Sequence, residues 1–593
     1  MPRRTLPRPA TSHIWPTDLP VREQTLANGF KVLVLPRRES PVVVCSLFYP
    51  VGSFDEPPGK TGLSHFVEHM LFKGTARFPK GAIDALSFAA AGQANAETGE
   101  DFTHYWFAFP ADRWEVALQI EADRMRGARF DSKEVEAERK VIMEEQARDL
   151  DSPQGRLDQT HQAVSYLRHP YRNPILGWPD DIARIDVDDL QAFYRSRYRP
   201  DGAVLVVAGG IGAETVFERV RPYFADLEPG RQSRPSTIFD EPRQTGRRDF
   251  VLWESEKVVR GLLGWHTVTR GHPDAPALDV LADILACGRR SRLWDALVET
   301  HKAATYVDAS HSACHRAGQF LMQIEAPSGA DPAVLERLLT DVITRLVDEG
   351  PTDEELRRSR HRLEAAWRWD GEDLAGLASG LGQVALWGDW RLWQAEHLAG
   401  LAVGADDVRR VASAYLRESG LTAGWSRPRR DRSRGIGDAS AIVPFAGPAL
   451  RSTQPPIAES SEQMGEEPSG SPAPGPFVVP SEPPRLKDFK PRRSVLPNGL
   501  RLIQERRPGT GVLALELYLD AGILREARPG LAYLTGRLLE EGTLRRSARE
   551  LAEAIEDVGG AMDVGPTGIS LRVRSEDLSL ALELMAEMAT KPA

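Results

Sequence analysis

A chain of 593 residues is too long for a single hydrophobic core and, at about 150 residues per domain, suggests three or four domains. With 41% hydrophobic and 27% charged residues it has an ordinary globular balance, which excludes fibrous and wholly disordered classes. The net charge of -10 argues against nucleic acid as the main partner, because phosphate binding needs a concentrated basic face.

Taken in chain order, Asn28-Gly29 is a strong turn signal. After it, FKVLVLPRR (30–38) and PVVVCSLFYPVG (41–52) read as two adjacent strands. TGLSHFVEHMLFKGT (61–75) carries Leu63, Phe66, Val67, Met70 and Leu71 at helical spacing, which predicts a helix over 62–73 with Thr61 as N-cap and Gly74 as stop. GAIDALSFAAAG (81–92) is helical in period, and GQANAETG (92–99) is strand-like. Asp131 and Glu134 fit a capping box that opens a helix running to about Leu150. GAVLVVAGGI (202–211) reads as a buried strand. The pattern then restarts with strands at 249–256 and 258–268 and a helix at 277–288, a second α/β domain of similar build. Proline, serine, glycine and acids dominate 429–490, which predicts an extended linker.

Beyond the linker the opening of the chain recurs. RRSVLPNGLRLIQERRPGTGVLALELYLDAG (492–522) echoes residues 22–52, and after a two-residue slip GLAYLTGRLLEEGT (530–543) answers GLSHFVEHMLFKGT (62–75). In the copy His65, Glu68 and His69 become Tyr533, Gly536 and Arg537. The apolar frame therefore stands without those three residues, and their presence in the first copy is better explained by a task than by packing.

That task is legible in the spacing. On a helix His65 and His69 lie one turn apart on one face, close enough for both imidazoles to hold one metal ion, with Glu68 beside them. Two core histidines and a surface acid would be the plain alternative. Catalytic zinc normally takes three protein ligands and keeps a fourth position for water. FDSKEVEAERKVIMEEQARDLD (130–151) supplies the third, since Glu138, Val141, Ile142 and Glu145 fall on one stripe while Glu144 is turned away. Inward acids are costly unless paired or metal-bound, which makes Glu145 the expected ligand and Glu138 a partner for a ligand histidine.

These segments resemble the pitrilysin/insulinase family of zinc metallopeptidases, the inverzincins, which includes the mitochondrial processing peptidases. The likeness rests on GLSHFVEHMLFKGT, on ERKVIMEE around Glu145, on ANAETGEDFTHYW (94–106), on residues 169–211 and on LACGRRSRLWDALVETHKAATYV (285–307). It implies an α+β fold of repeated two-layer α/β domains, with a peptidase domain at 15–235, a homologous domain at 240–428 and, after the linker, a partial inactive repeat at 491–593. It implies one Zn2+ per chain on His65, His69 and Glu145, Glu68 as general base on a zinc-activated water, Glu138 as a supporting acid, and an edge strand at Asn95 and Ala96 that pairs with substrate backbone.

The implied activity is zinc-dependent endopeptidase cleavage of unfolded peptides, the alternative being a non-catalytic peptide-holding subunit of the same fold. Because the repeat holds only part of a domain, a partner half or a homodimer is expected to complete a substrate chamber. Cys45, Cys287 and Cys314 are too few for a disulfide framework. No run of about 18 apolar residues offers a membrane span, and the N-terminal segment lacks the apolar core of a signal peptide, so the default expectation is cytoplasmic, periplasmic if a leader is missing.

Overall fold

The structure is a computed structural model and describes residues 19–37, 39–230, 241–429, 491–507, 510–520 and 522–593. Apart from Arg429, the expected linker lies outside the described residues. The first segment contains, in order, β1 (Arg22–Thr25), β2 (Lys31–Pro36), β3 (Val42–Tyr49), α1 (Leu63–Met70), α2 (Ala82–Ala89), β4 (Gln93–Thr98), β5 (Thr103–Pro110), α3 (Glu115–Gly127), α4 (Ser132–Asp151), α5 (Pro153–Ser165), α6 (Pro179–Ile182), α7 (Val187–Arg197), β6 (Val204–Gly209) and α8 (Ala213–Phe224).

Its six strands form one sheet in the order β1-β2-β6-β3-β5-β4. The two strands expected to lie side by side, β2 and β3, are separated by β6, which runs parallel to β2 and antiparallel to β3. The reason is in the composition of β6: VLVVAG is buried at every position, and a strand without a polar face belongs in the middle of a sheet covered on both sides. One face of the sheet packs on α1, α3, α7 and α8 through a core that includes Phe30, Val43, Leu47, Phe66, Val116, Leu190 and Val216. The edge strand β4 has a strand neighbour on one side only.

The second segment holds β7 (Arg248–Glu254), β8 (Val259–Thr267), α9 (Ala275–Ala286), β9 (Tyr306–Ala313), β10 (Gly318–Ala326), α10 (Pro332–Glu349), α11 (Asp353–Asp370), α12 (Leu374–Trp387), α13 (Arg391–Leu401), α14 (Ala405–Tyr415) and β11 (Leu421–Pro428). Its sheet runs β7-β11-β8-β10-β9, and β11 is parallel to β7 and antiparallel to β8. This repeats β2-β6-β3-β5-β4 strand for strand, so the fold is one α/β layer unit used twice. The two copies are joined by α12, which covers the other face of the first sheet: Leu377, Ala378 and Leu381 pack on Leu33, Val44, Phe48 and Val206. Gly382, one of three glycines in α12, permits the approach, since a Cβ there would lie 2.1 Å from the Phe48 ring.

The third segment begins the same unit again, with β12 (Arg492–Val495), β13 (Arg501–Gln504), β14 (Val512–Tyr518), α15 (Leu531–Leu539), α16 (Ala548–Glu556), β15 (Ala561–Gly565), β16 (Gly568–Arg574) and α17 (Leu578–Thr590). Here β12-β13 and β14-β16-β15 are two separate sheets, and among the described residues no strand occupies the position that β6 fills between β2 and β3. The helix α15 is correspondingly bare. Phe66 of α1 is fully buried, whereas its counterpart Leu534 is 56% exposed, because α4 and α7 pack on α1 and no described helix takes their place on α15.

Candidate metal centre

The eight-residue helix α1 is too short to persist alone in water. Burial of Leu63, Phe66, Val67 and Met70 holds it, at about 1.5–3 kcal/mol for each large side chain. The helix is shorter than the 62–73 expected, and its N-cap is Gly62 in the left-handed region (φ 90°), not Thr61. Thr61 is occupied elsewhere, its hydroxyl donating to Asp181 Oδ2 at 2.7 Å and accepting from the Trp178 N–H at 2.9 Å. The free N–H groups of the first turn are met by a carboxylate from upstream: Glu56 accepts from Gly62 and from Ser64, both at 2.7 Å. The copy repeats this clamp with Glu526, which accepts from Gly530 at 3.0 Å and Ala532 at 2.9 Å. Glu56 lies six residues before Gly62 but Glu526 only four before Gly530, so the shortened loop between clamp and helix accounts for the two-residue slip between the repeats.

On α1, His65 is buried and His69 half-buried, and their Nε2 atoms lie 3.2 Å apart. Alongside runs α4, capped by Asp131, whose carboxylate accepts from Lys133 at 2.9 Å and Glu134 at 3.3 Å; Glu134 itself pairs with Lys80 at 2.7 Å. From α4, Glu145 brings Oε2 to 3.6 Å from His69 Nε2 and 3.8 Å from His65 Nε2. One ligand atom from each of the three residues falls within 4.8 Å of the others, and among the described residues no other cluster of histidine, cysteine and carboxylate has this spacing. A cavity of about 730 Å³ lies elsewhere, lined by Phe54, Tyr166, His169, His266, His315 and Arg316 among others.

Glu138 is 5% exposed and accepts from His69 Nδ1 at 2.8 Å, while Lys73 Nζ lies 2.5 Å from its other oxygen. Burial raises the pKa of this carboxyl, but the bonds from His69 and Lys73 outweigh burial and hold it below the usual carboxylate range. An ionised Glu138 accepts a hydrogen bond from the Nδ1–H of His69, which selects the tautomer with its Nε2 lone pair facing Glu145. His65 is pushed down to about 3, mainly by burial and secondarily by His69, so its imidazole is neutral. Two imidazole nitrogens and a carboxylate oxygen turned toward one point are a donor set that fits zinc. On the expected inward stripe of α4, Val141 is 45% exposed and does not face the site; Val135, Ile142 and Gln146 make the buried side with Glu138. Glu138→Gln would keep a hydrogen-bond partner but lose its charge. Zinc affinity is expected to fall about 10- to 100-fold, read by competition with a chromogenic chelator.

Glu68 also sits on α1, next to His69, and burial raises its carboxyl above the usual range against the opposing hydrogen bond from Thr98. Asn95 and Ala96 lie on β4 opposite Trp106 and Tyr105 of β5. Asn95 is exposed, and its Oδ1 accepts from the Ala96 N–H at 2.9 Å. Because β4 is an edge, half of its backbone groups point away from β5. Sequence reasoning missed Glu56, Lys73 and Thr98. Lys73 stands one turn beyond His69, and Thr98 shares a strand face with Ala94 and Ala96 toward α1, so both had a periodic signal.

The model of the insulinase family, peptidase family M16, matches residues 31–177 and 501–593, and that of the M16 inactive domain matches 184–363. The chain belongs to this family. It is 26% identical to the zinc protease PqqE of Helicobacter pylori over 415 residues, 69% of this chain and 94% of that one. A crystal structure of a protease from Helicobacter pylori superposes with a TM-score of 0.67 at 25% identity, over 69% of this chain and 99% of that one. The periplasmic protease PqqL of Escherichia coli shares the fold over 98% of this chain and 66% of its own length, with a TM-score of 0.60 at 18% identity. No helix among the described residues is long and apolar enough to cross a membrane.

Proposed function

We propose that the chain is a zinc-dependent metalloendopeptidase that cleaves extended, unfolded peptides, with one zinc held by His65, His69 and Glu145. The observation that carries this reading is the convergence of three ligand atoms within 4.8 Å in a helix pair packed against a sheet whose edge strand is open. Similarity to proteins named zinc proteases supports the choice of metal and reaction.

A bound zinc supplies Lewis acidity at this point, polarising a carbonyl and acidifying water. The chain's own residues do the rest. The outward backbone groups of β4 around Asn95 and Ala96 take an extended peptide as an added strand and so fix the scissile bond in register. Glu68 accepts the proton of the attacking water as its oxygen joins the carbonyl carbon, and returns it to the nitrogen as the C–N bond breaks. Glu138 and Lys73 keep His69 turned the right way throughout. Residues 15–235 would form the catalytic domain and 240–428 its homologous companion. A further half, or a second chain, would close a chamber over the site.

The test is cleavage of a mixed peptide library followed by mass spectrometry, before and after removal of metal with a chelator and readdition of zinc. Loss and recovery of internal cleavages with about one zinc per chain is the expected outcome. Cleavage that persists in metal-free protein would contradict the proposal.

A further inference from the structure

We propose that Thr98 is a positioning residue that holds the Glu68 carboxylate ready for proton transfer, so that the strand offered to the peptide also orients the base. The inference rests on the reading of Glu68 as general base. Thr98 Oγ1 donates to Glu68 Oε2 at 2.5 Å, and among the described residues it is the only hydrogen-bond donor to that carboxylate. A short bond from a hydroxyl to a carboxylate is among the stronger hydrogen bonds in proteins and fixes both rotamers. Thr98 is itself firmly placed. It ends β4 on the half-buried face against which α1 packs, and its cross-strand partner Thr103 is buried and donates to Val51 O at 2.8 Å.

The internal repeat supplies an independent observation. In the third segment Glu68 is answered by Gly536, and Thr98, at the same distance along the chain, by Pro566. A Cβ on Gly536 would lie 2.7 Å from Gly565 O and 3.3 Å from Pro566 N, so backbone at the end of β15 stands where a side chain on the helix would begin. The copy keeps the helix, the strand and the clamp by Glu526, and dispenses with both members of the pair together. Two residues kept for separate packing reasons would not need to leave together; a donor and acceptor with one task would.

The test compares Thr98→Val, which keeps the shape and removes the donor, with Thr98→Ser, which keeps the donor, in zinc-loaded full-length protein. Thr98→Val is expected to lower kcat about tenfold or more, with KM and zinc affinity within about twofold of wild type, while Thr98→Ser stays within about threefold. In a Glu68→Gln background, Thr98→Val should add no further loss of turnover and leave the dissociation constant of a bound peptide unchanged. Unchanged kcat in Thr98→Val overturns the proposal, as does a Thr98→Ser protein no better than Thr98→Val. A rise in KM matching the loss of kcat/KM would do the same, because it makes Thr98 a strand residue only. Wild-type turnover in Glu68→Gln alone would remove the base itself, and this distinguishes failure of the parent reading from failure of this one.

Discussion

Glu68→Gln is expected to keep its zinc and lose about 10²- to 10⁴-fold in peptide turnover, the range a positioned general base contributes. The amide has nearly the same shape, can still accept from Thr98 through its oxygen, and is not one of the three proposed ligands. The metal set, the strand edge and the fold should therefore persist, and the loss should fall on kcat with KM little changed. Zinc content by emission spectroscopy, together with the rate of cleavage of one library peptide, separates the two effects. A variant that holds a full complement of zinc and cleaves at the wild-type rate would show that the proton goes elsewhere.

His69→Ala is expected to have the larger effect on the metal. It deletes a ligand and also breaks the bond to Glu138, leaving that buried carboxylate paired only with Lys73. The loss should exceed the about 10- to 100-fold expected of an outer partner alone, so that dialysed protein carries no stoichiometric zinc and no zinc-restorable activity. The fold should survive, because α15 forms with Arg537 at the equivalent position. A far-ultraviolet spectrum like that of wild type, with zinc absent, is the expected result; a His69→Ala protein that retains zinc would remove His69 from the ligand set.

The helix with the histidine pair and the helix with the two acids were legible because each is written locally, in the period of its apolar residues. The repeated build was legible because the third segment restates the first with its turn, Asn498-Gly499, intact. What escaped was non-local. Thr61 has the chemistry of an N-cap, but a carboxylate from an upstream loop takes the role, and only the folded loop brings Glu56 there. β2 and β3 follow each other in sequence, yet β6, more than 150 residues later, pairs with both. The outer face of the first sheet is covered by α12, which no local pattern in the first segment could announce. Val141 has the spacing of an inward residue but falls at the margin of the stripe, where a half-turned side chain reaches solvent.

Gly536 sits close against the end of β15, and this limits what the third segment can be engineered to do. There the helix lies directly on strand backbone, with Gly565 O only 2.7 Å from where a Cβ would be. A glutamate placed at Gly536 alone would meet a steric barrier, and histidines placed at Tyr533 and Arg537 alone would have no carboxylate beside them. Building the first segment's arrangement into the third is thus a coupled problem: the strand end must move back before the helix can carry a longer side chain there, so no single substitution accomplishes it.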